Sequence, residues 1–147
     1  MNDDSTAAGR RADDLLPGLG YPGDVSAGVP IVVAPAPGGP PSGGARRWFV
    51  PIERGPDLLG YLLLTDDAVL SHSSFAPPMP ARDWVDADHI RQRAERFGGG
   101  AATGPAVLTH DGPAAHLAWR VPLAGGVVMV AGSVCWWQRP RSGDVTG

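Results

Sequence analysis

The sequence predicts an α+β fold, a single small antiparallel sheet with one helix on one face, preceded by a disordered Pro/Gly-rich arm. Three observations carry that expectation. Short apolar segments at strand spacing flank turn chemistry at Glu53-Arg54-Gly55-Pro56-Asp57 and at His110-Asp111-Gly112-Pro113. Between them, Trp84, Ala87, Ile90, Ala94 and Phe97 recur at three- and four-residue steps, the signature of a helix stripe. The chain of 147 residues holds 21 Gly and 16 Pro, and these are dense in its first third, where they oppose regular structure.

The reading divides the chain into a flexible arm over 1–45, an α+β domain over 46–138 and a polar tail over 139–147. Within the arm, Leu15 to Tyr21 and Val29 to Val33 are apolar patches able to dock elsewhere. Arg46 to Ile52 opens the domain as a strand with Trp48, Val50 and Ile52 on one face. Leu58 to Thr65 returns as its hairpin partner, and Val69 to Ser73 reads as a third, more polar strand. The three prolines between Phe75 and Pro80 predict a loop.

Asp83 or Asp86 caps the predicted helix, which runs to about Phe97 and stops at Gly98-Gly99-Gly100. Pro105 to Thr109 and Ala115 to Val121 follow as strands. In the second, Ala115, Leu117, Trp119 and Val121 face one way, and His116, Ala118 and Arg120 the other. Val127 to Trp137 reads as one strand apolar on both sides, so the adjacent Trp136 and Trp137 point to opposite faces. The expected order is β-β-(β)-α-β-β-β. One helix covers one face, so some apolar sheet surface is left for the arm, a second copy or another protein to cover.

Composition narrows the chemistry. All twelve basic residues are Arg, and without Lys there is neither a phosphate-loop lysine nor a Schiff-base lysine. A net charge of −3 with scattered acidic residues gives no general attraction to nucleic acid or to an anionic membrane. Cys135 is the only cysteine, which rules out an internal disulfide. The acidic start, Met1-Asn2-Asp3-Asp4, lacks the pattern of a secretory leader, and the longest apolar run is about half a membrane span. A cytoplasmic location is the expectation.

No catalytic motif stands out. His72, His89, His110 and His116 show no metal-ligand spacing, and no cofactor or metal is expected. Asp83, Asp86 and Asp88 beside His89 have a ready explanation as helix-terminal acids. Ser73 or Ser74 with His116 and Asp111 contains the residue types of a triad without any elbow motif. Gly98 to Gly104 follows a helix, whereas phosphate loops precede one. Arg91, Arg93 and Arg96 read as a solvated helix face.

The leading expectation is therefore a non-enzymatic protein-interaction or assembly domain, a homodimer in its simplest form, that uses apolar sheet surface at Trp136 and Trp137. One alternative is a small-ligand sensor with a pocket between sheet and helix, in which His116 and Arg120 bind an anion. The other is a metal-assisted or histidine-dependent hydrolase using His72, His110 or His116.

Overall fold

A computed structural model of the protein describes residues 3–34, 46–110 and 117–138. Its first element is a helix, α1 (Asp3–Leu15), in the segment whose composition predicts an arm. Residues 3–15 contain one Gly and no Pro, so the prolines further on do not bear on them. Ala8, Ala12 and Leu16 lie four residues apart and are all buried. The small alanines let the helix sit close on the strands beneath. After a 3-10 turn at Pro17–Leu19 come the short strands β1 (Ser26–Ala27) and β2 (Ile31–Val33). Residues 3–34 are thus an integral layer of the fold; 35–45 and the predicted tail 139–147 lie outside the described residues.

Both short strands pair antiparallel with β3 (Arg47–Arg54), which forms the predicted hairpin with β4 (Asp57–Leu64). Side-chain alternation splits this sheet between two cores. Trp48, Val50, Ile52, Leu62 and Leu64 face α1, whereas Phe49, Leu58 and Leu63 join a second cluster. The apolar face that the sequence leaves uncovered is, on this sheet, covered by α1.

Strand β5 (Val69–Pro80) extends through the region predicted as a loop. Pro77 and Pro78 are accommodated because the register jumps from Gly60↔Ser74 to Leu58↔Met79, so Phe75 to Pro78 bulge out of the ladder and need no amide donors, while Pro80 lies opposite Asp57 at the strand's last position. Gly60 lies close against β5; a Cβ there would run into the backbone carbonyl of Ser73.

The predicted helix is broken in two, α2 (Arg82–Val85) and α3 (Ala87–Gly98). The break falls at Asp86, which is extended at φ −95° and ψ 98° and caps α3 by accepting a 3.1 Å hydrogen bond from the His89 amide. Replacing Asp86 by Ala is expected to lower stability by about 1 kcal/mol, read as a shift in the urea midpoint with an unchanged slope. Ile90 and Ala94 carry the stripe into the core, both fully buried.

Four antiparallel strands follow among the described residues: β6 (Val107–His110), β7 (Leu117–Leu123), β8 (Gly126–Ala131) and β9 (Val134–Trp137). They form a separate sheet in the order β6-β7-β8-β9, so the α+β class holds but the single predicted sheet is two. The apolar run Val127 to Trp137 is correspondingly two strands, not one. It turns at Gly132-Ser133, where Gly132 adopts φ 59°, a left-handed conformation that suits glycine. Trp119, Val121, Val128 and Val130 pack with α3 and with Phe49 and Leu63 of the first sheet in one core. The sheets also touch at Ala34, whose amide donates to the Leu108 carbonyl at 2.8 Å and whose carbonyl accepts from Thr109 Oγ1 at 2.9 Å.

One carboxylate lies in an unfavourable setting. Glu53 on β3 packs beside Gly28, and burial pushes its carboxyl above the usual glutamate range. A raised folded-state value means that the native protein holds this proton more tightly than the unfolded chain. The associated stability is full below the ordinary glutamate value and is lost as pH rises through the folded one. Glu53→Gln is expected to flatten that decline, which chemical denaturation at several pH values from acid to neutral would measure.

Candidate functional site

The two tryptophans singled out in the sequence fall on opposite faces of the second sheet, in different settings. Trp137 is opposite Val128 and faces α3, its ring 6.1 Å from that of Phe97. It also lies against Gly98 and Gly126, so it closes the edge of the helix-covered core. Trp136 is opposite Met129 on the other face. Met129 is opposite Arg120, and Arg120 is opposite Val107, so Val107, Arg120, Met129 and Trp136 form one row across all four strands.

Arg120 and Trp136, expected to serve different functions, are therefore two strands apart on the same face of the sheet. Met129 between them is fully buried, while Val107 at the end of the row is 37% exposed. Arg120 has no carboxylate or hydrogen-bond partner among the described residues, and its Nε is buried without one. A guanidinium presents five donors and stays charged, so an unpaired one against apolar neighbours favours an incoming carboxylate or other anion. Arg120 faces away from α3, because its neighbours Trp119 and Val121 enter the core shared with that helix. The space between helix and sheet, where the sequence suggested a pocket, is filled by these side chains and by Ile90 and Ala94. His116, the proposed companion of Arg120, lies outside the described residues, as does Asp111 of the triad reading.

The other chemical candidates have structural partners. Asp83 Oδ1 is 3.0 Å from His89 Nε2 and 3.8 Å from Arg93, a half-buried network that ties α2 to α3. Arg93 also donates to the carbonyl of Gly132 and reaches Cys135 Sγ at 4.0 Å, fastening the β8–β9 turn to the helix. Arg91 pairs with Glu95 at 3.2 Å. His72 Nε2 is 2.7 Å from the Tyr21 hydroxyl, which is also 3.3 Å from Ser74 Oγ. His110 is buried at the end of β6, with Arg47 at 3.2 Å. His72 and His110 thus have different partners, and no group of three metal-ligating side chains occurs among the described residues.

Sequence reasoning missed Val107 and Met129 as members of the row. Their place depends on the β8–β9 hairpin, and the available signal was Gly132-Ser133 inside an otherwise apolar run. It also missed the Tyr21–His72–Ser74 contact, since Tyr21 belongs to the segment read as an arm. No helix among the described residues is long and apolar enough to cross a membrane. No protein-family model, curated protein or solved structure matches the chain.

Proposed function

We propose that the protein is a non-enzymatic interaction or assembly domain that associates through the outer face of its second sheet, with Trp136 as the apolar anchor. The observation that carries the reading is the row Val107–Arg120–Met129–Trp136, in which a guanidinium with no partner among the described residues and an indole share a sheet face turned away from the helix. Trp and Arg are the residue types that most often dominate binding energy at protein interfaces. An acidic side chain of a partner would pair with the Arg120 guanidinium.

Light scattering after size-exclusion chromatography of the full chain tests the reading. Trp136→Ser and Arg120→Gln are each expected to weaken assembly at least tenfold while leaving the far-UV circular dichroism unchanged. Assembly indifferent to both substitutions overturns it. The full chain is required, because α1 and β2 belong to the two cores.

Arg120 also favours a second reading, a sensor for a small anionic ligand. Saturable thermal stabilisation by a carboxylate or phosphate compound, lost in Arg120→Gln, is the result that reading expects. No stabilisation across a panel of such anions counts against it.

A further inference from the structure

We infer that the occupant of this surface is a second copy of the chain, joined through the free edge of β9; the inference rests on the association reading above. Among the described residues, no strand pairs with the outer side of β9. Natural sheet edges are usually blunted by proline, charge or irregular pairing. The edge strand β5 has Pro77, Pro78 and Pro80 and a bulged ladder. The strands β1 and β2 are two and three residues long. Strand β9, Val134-Cys135-Trp136-Trp137, has no charge, no proline and no break in register.

The hydrogen-bond pattern specifies the geometry. The Gln138 amide donates to the Val127 carbonyl, which makes 127 and 138 a bonded pair. Antiparallel ladders alternate, so Met129 with Trp136 and Ala131 with Val134 are bonded pairs as well. The N–H and C=O groups of Cys135 and Trp137 therefore point away from the sheet. Two copies related by a two-fold axis satisfy all of these groups when Cys135 of each faces Trp137 of the other. In that register the two copies of Trp136 lie directly opposite each other at a non-bonded pair, where side chains approach most closely.

Shape and charge are compatible with this arrangement. The exposed apolar residues Val134, Trp137 and Phe97, at 57%, 42% and 46%, all border this edge. The strand is uncharged, so pairing it with itself brings no like charges together along the strand. Helix α3 contacts β7, β8 and β9, which centres it near β8. The two β8 strands would be about 14 Å apart, three strand spacings, leaving more than the 8–10 Å that packed helices need. An unrelated partner strand would satisfy the same backbone groups but would not pair Trp136 with its own copy.

The test is sedimentation velocity on the full chain at several concentrations, together with Cys135→Pro. Proline at this position removes an outward amide that the β8 ladder does not use, and edge strands tolerate it. The expected result is a concentration-dependent dimer for the wild type. It should show a far-UV exciton couplet from the facing indoles that fades on dilution and is absent in Trp136→Phe. Cys135→Pro should be monomeric at the same concentrations, with its thermal midpoint within a few degrees of the wild type.

Val134→Lys places a charge on the same edge without restricting the backbone, and it should also give a monomer. It serves as the check if the proline variant unfolds. A wild type that remains monomeric overturns the second-copy inference. Assembly that survives both edge variants but is lost in Trp136→Ser overturns edge pairing and leaves face association standing. Assembly that survives every variant overturns both.

Discussion

Trp119→Ala is expected to destabilise the protein by about 4 kcal/mol, the largest effect of any single truncation considered. Trp119 lies in the core where the second sheet meets α3 and the first sheet, and it is only 4% exposed. Its indole Nε1 donates a 2.9 Å hydrogen bond to the Trp84 carbonyl at the end of α2. Alanine removes the apolar volume and leaves that carbonyl without its donor, so a cavity penalty and an unsatisfied acceptor act together. For a domain of this size the thermal midpoint should fall by roughly 12 °C. Trp119→Phe separates the two contributions, because most of the volume remains while the hydrogen bond is lost. If Trp119→Ala costs less than about 2 kcal/mol in urea, the site collapses around the missing ring and the two sheets are not coupled through it.

Gly60→Ala should come next, at about 3 kcal/mol, although it adds only one methyl group. The added carbon meets the Ser73 backbone carbonyl, not the flexible end of a side chain. Relief requires β4 and β5 to separate where the ladder is already irregular, between Gly60↔Ser74 and Leu58↔Met79. The cost should include lost strand pairing, so faster hydrogen exchange at the amides of β4 and β5 should accompany the loss of stability. A variant with wild-type stability would mean that the bulge absorbs the methyl group without strain.

Much of the fold is legible in the sequence where a local period is uninterrupted. The alternation of Trp48, Val50 and Ile52 placed them on one face, and they share one core. The helical stripe brought Trp84, Ile90 and Ala94 to the core, while its members Ala87 and Phe97 are exposed, and Asp86 is the cap. Failures occurred where a short-range signal competed with a tertiary one. Pro77, Pro78 and Pro80 argued for a loop, but a bulge keeps 75–78 out of the ladder while the strand continues. The apolar run through Ala131 and Val134 masked the turn at Gly132. The Pro/Gly-rich composition argued for an arm over 1–45, yet residues 3–34 fold, and the four-residue spacing of Ala8, Ala12 and Leu16 marks a helix face.

Site reading followed the same division. Alternation alone required Trp136 and Trp137 to diverge, and they do. Which of the two packs on α3 depends on where the β8–β9 hairpin turns, and the sequence had been read without that turn. The common face of Arg120 and Trp136 is a cross-strand relationship between residues sixteen positions apart in the sequence, which no local period encodes.

The proposed pairing of copies through β9 gives the Ala34 contact with β6 a consequence for how far such assembly would proceed. Its hydrogen bonds to Leu108 and Thr109 occupy the margin of the second sheet opposite β9. A sheet open at both margins can add copies without limit, the route by which strand pairing leads to fibrils. With one margin closed, joining two copies uses the open margin of each and leaves neither for a third. Such a contact is isologous and self-terminating. Under the proposed edge pairing, loosening this contact, for example by Thr109→Val, which removes the hydroxyl donor to Ala34, is expected to give species larger than a dimer in sedimentation velocity.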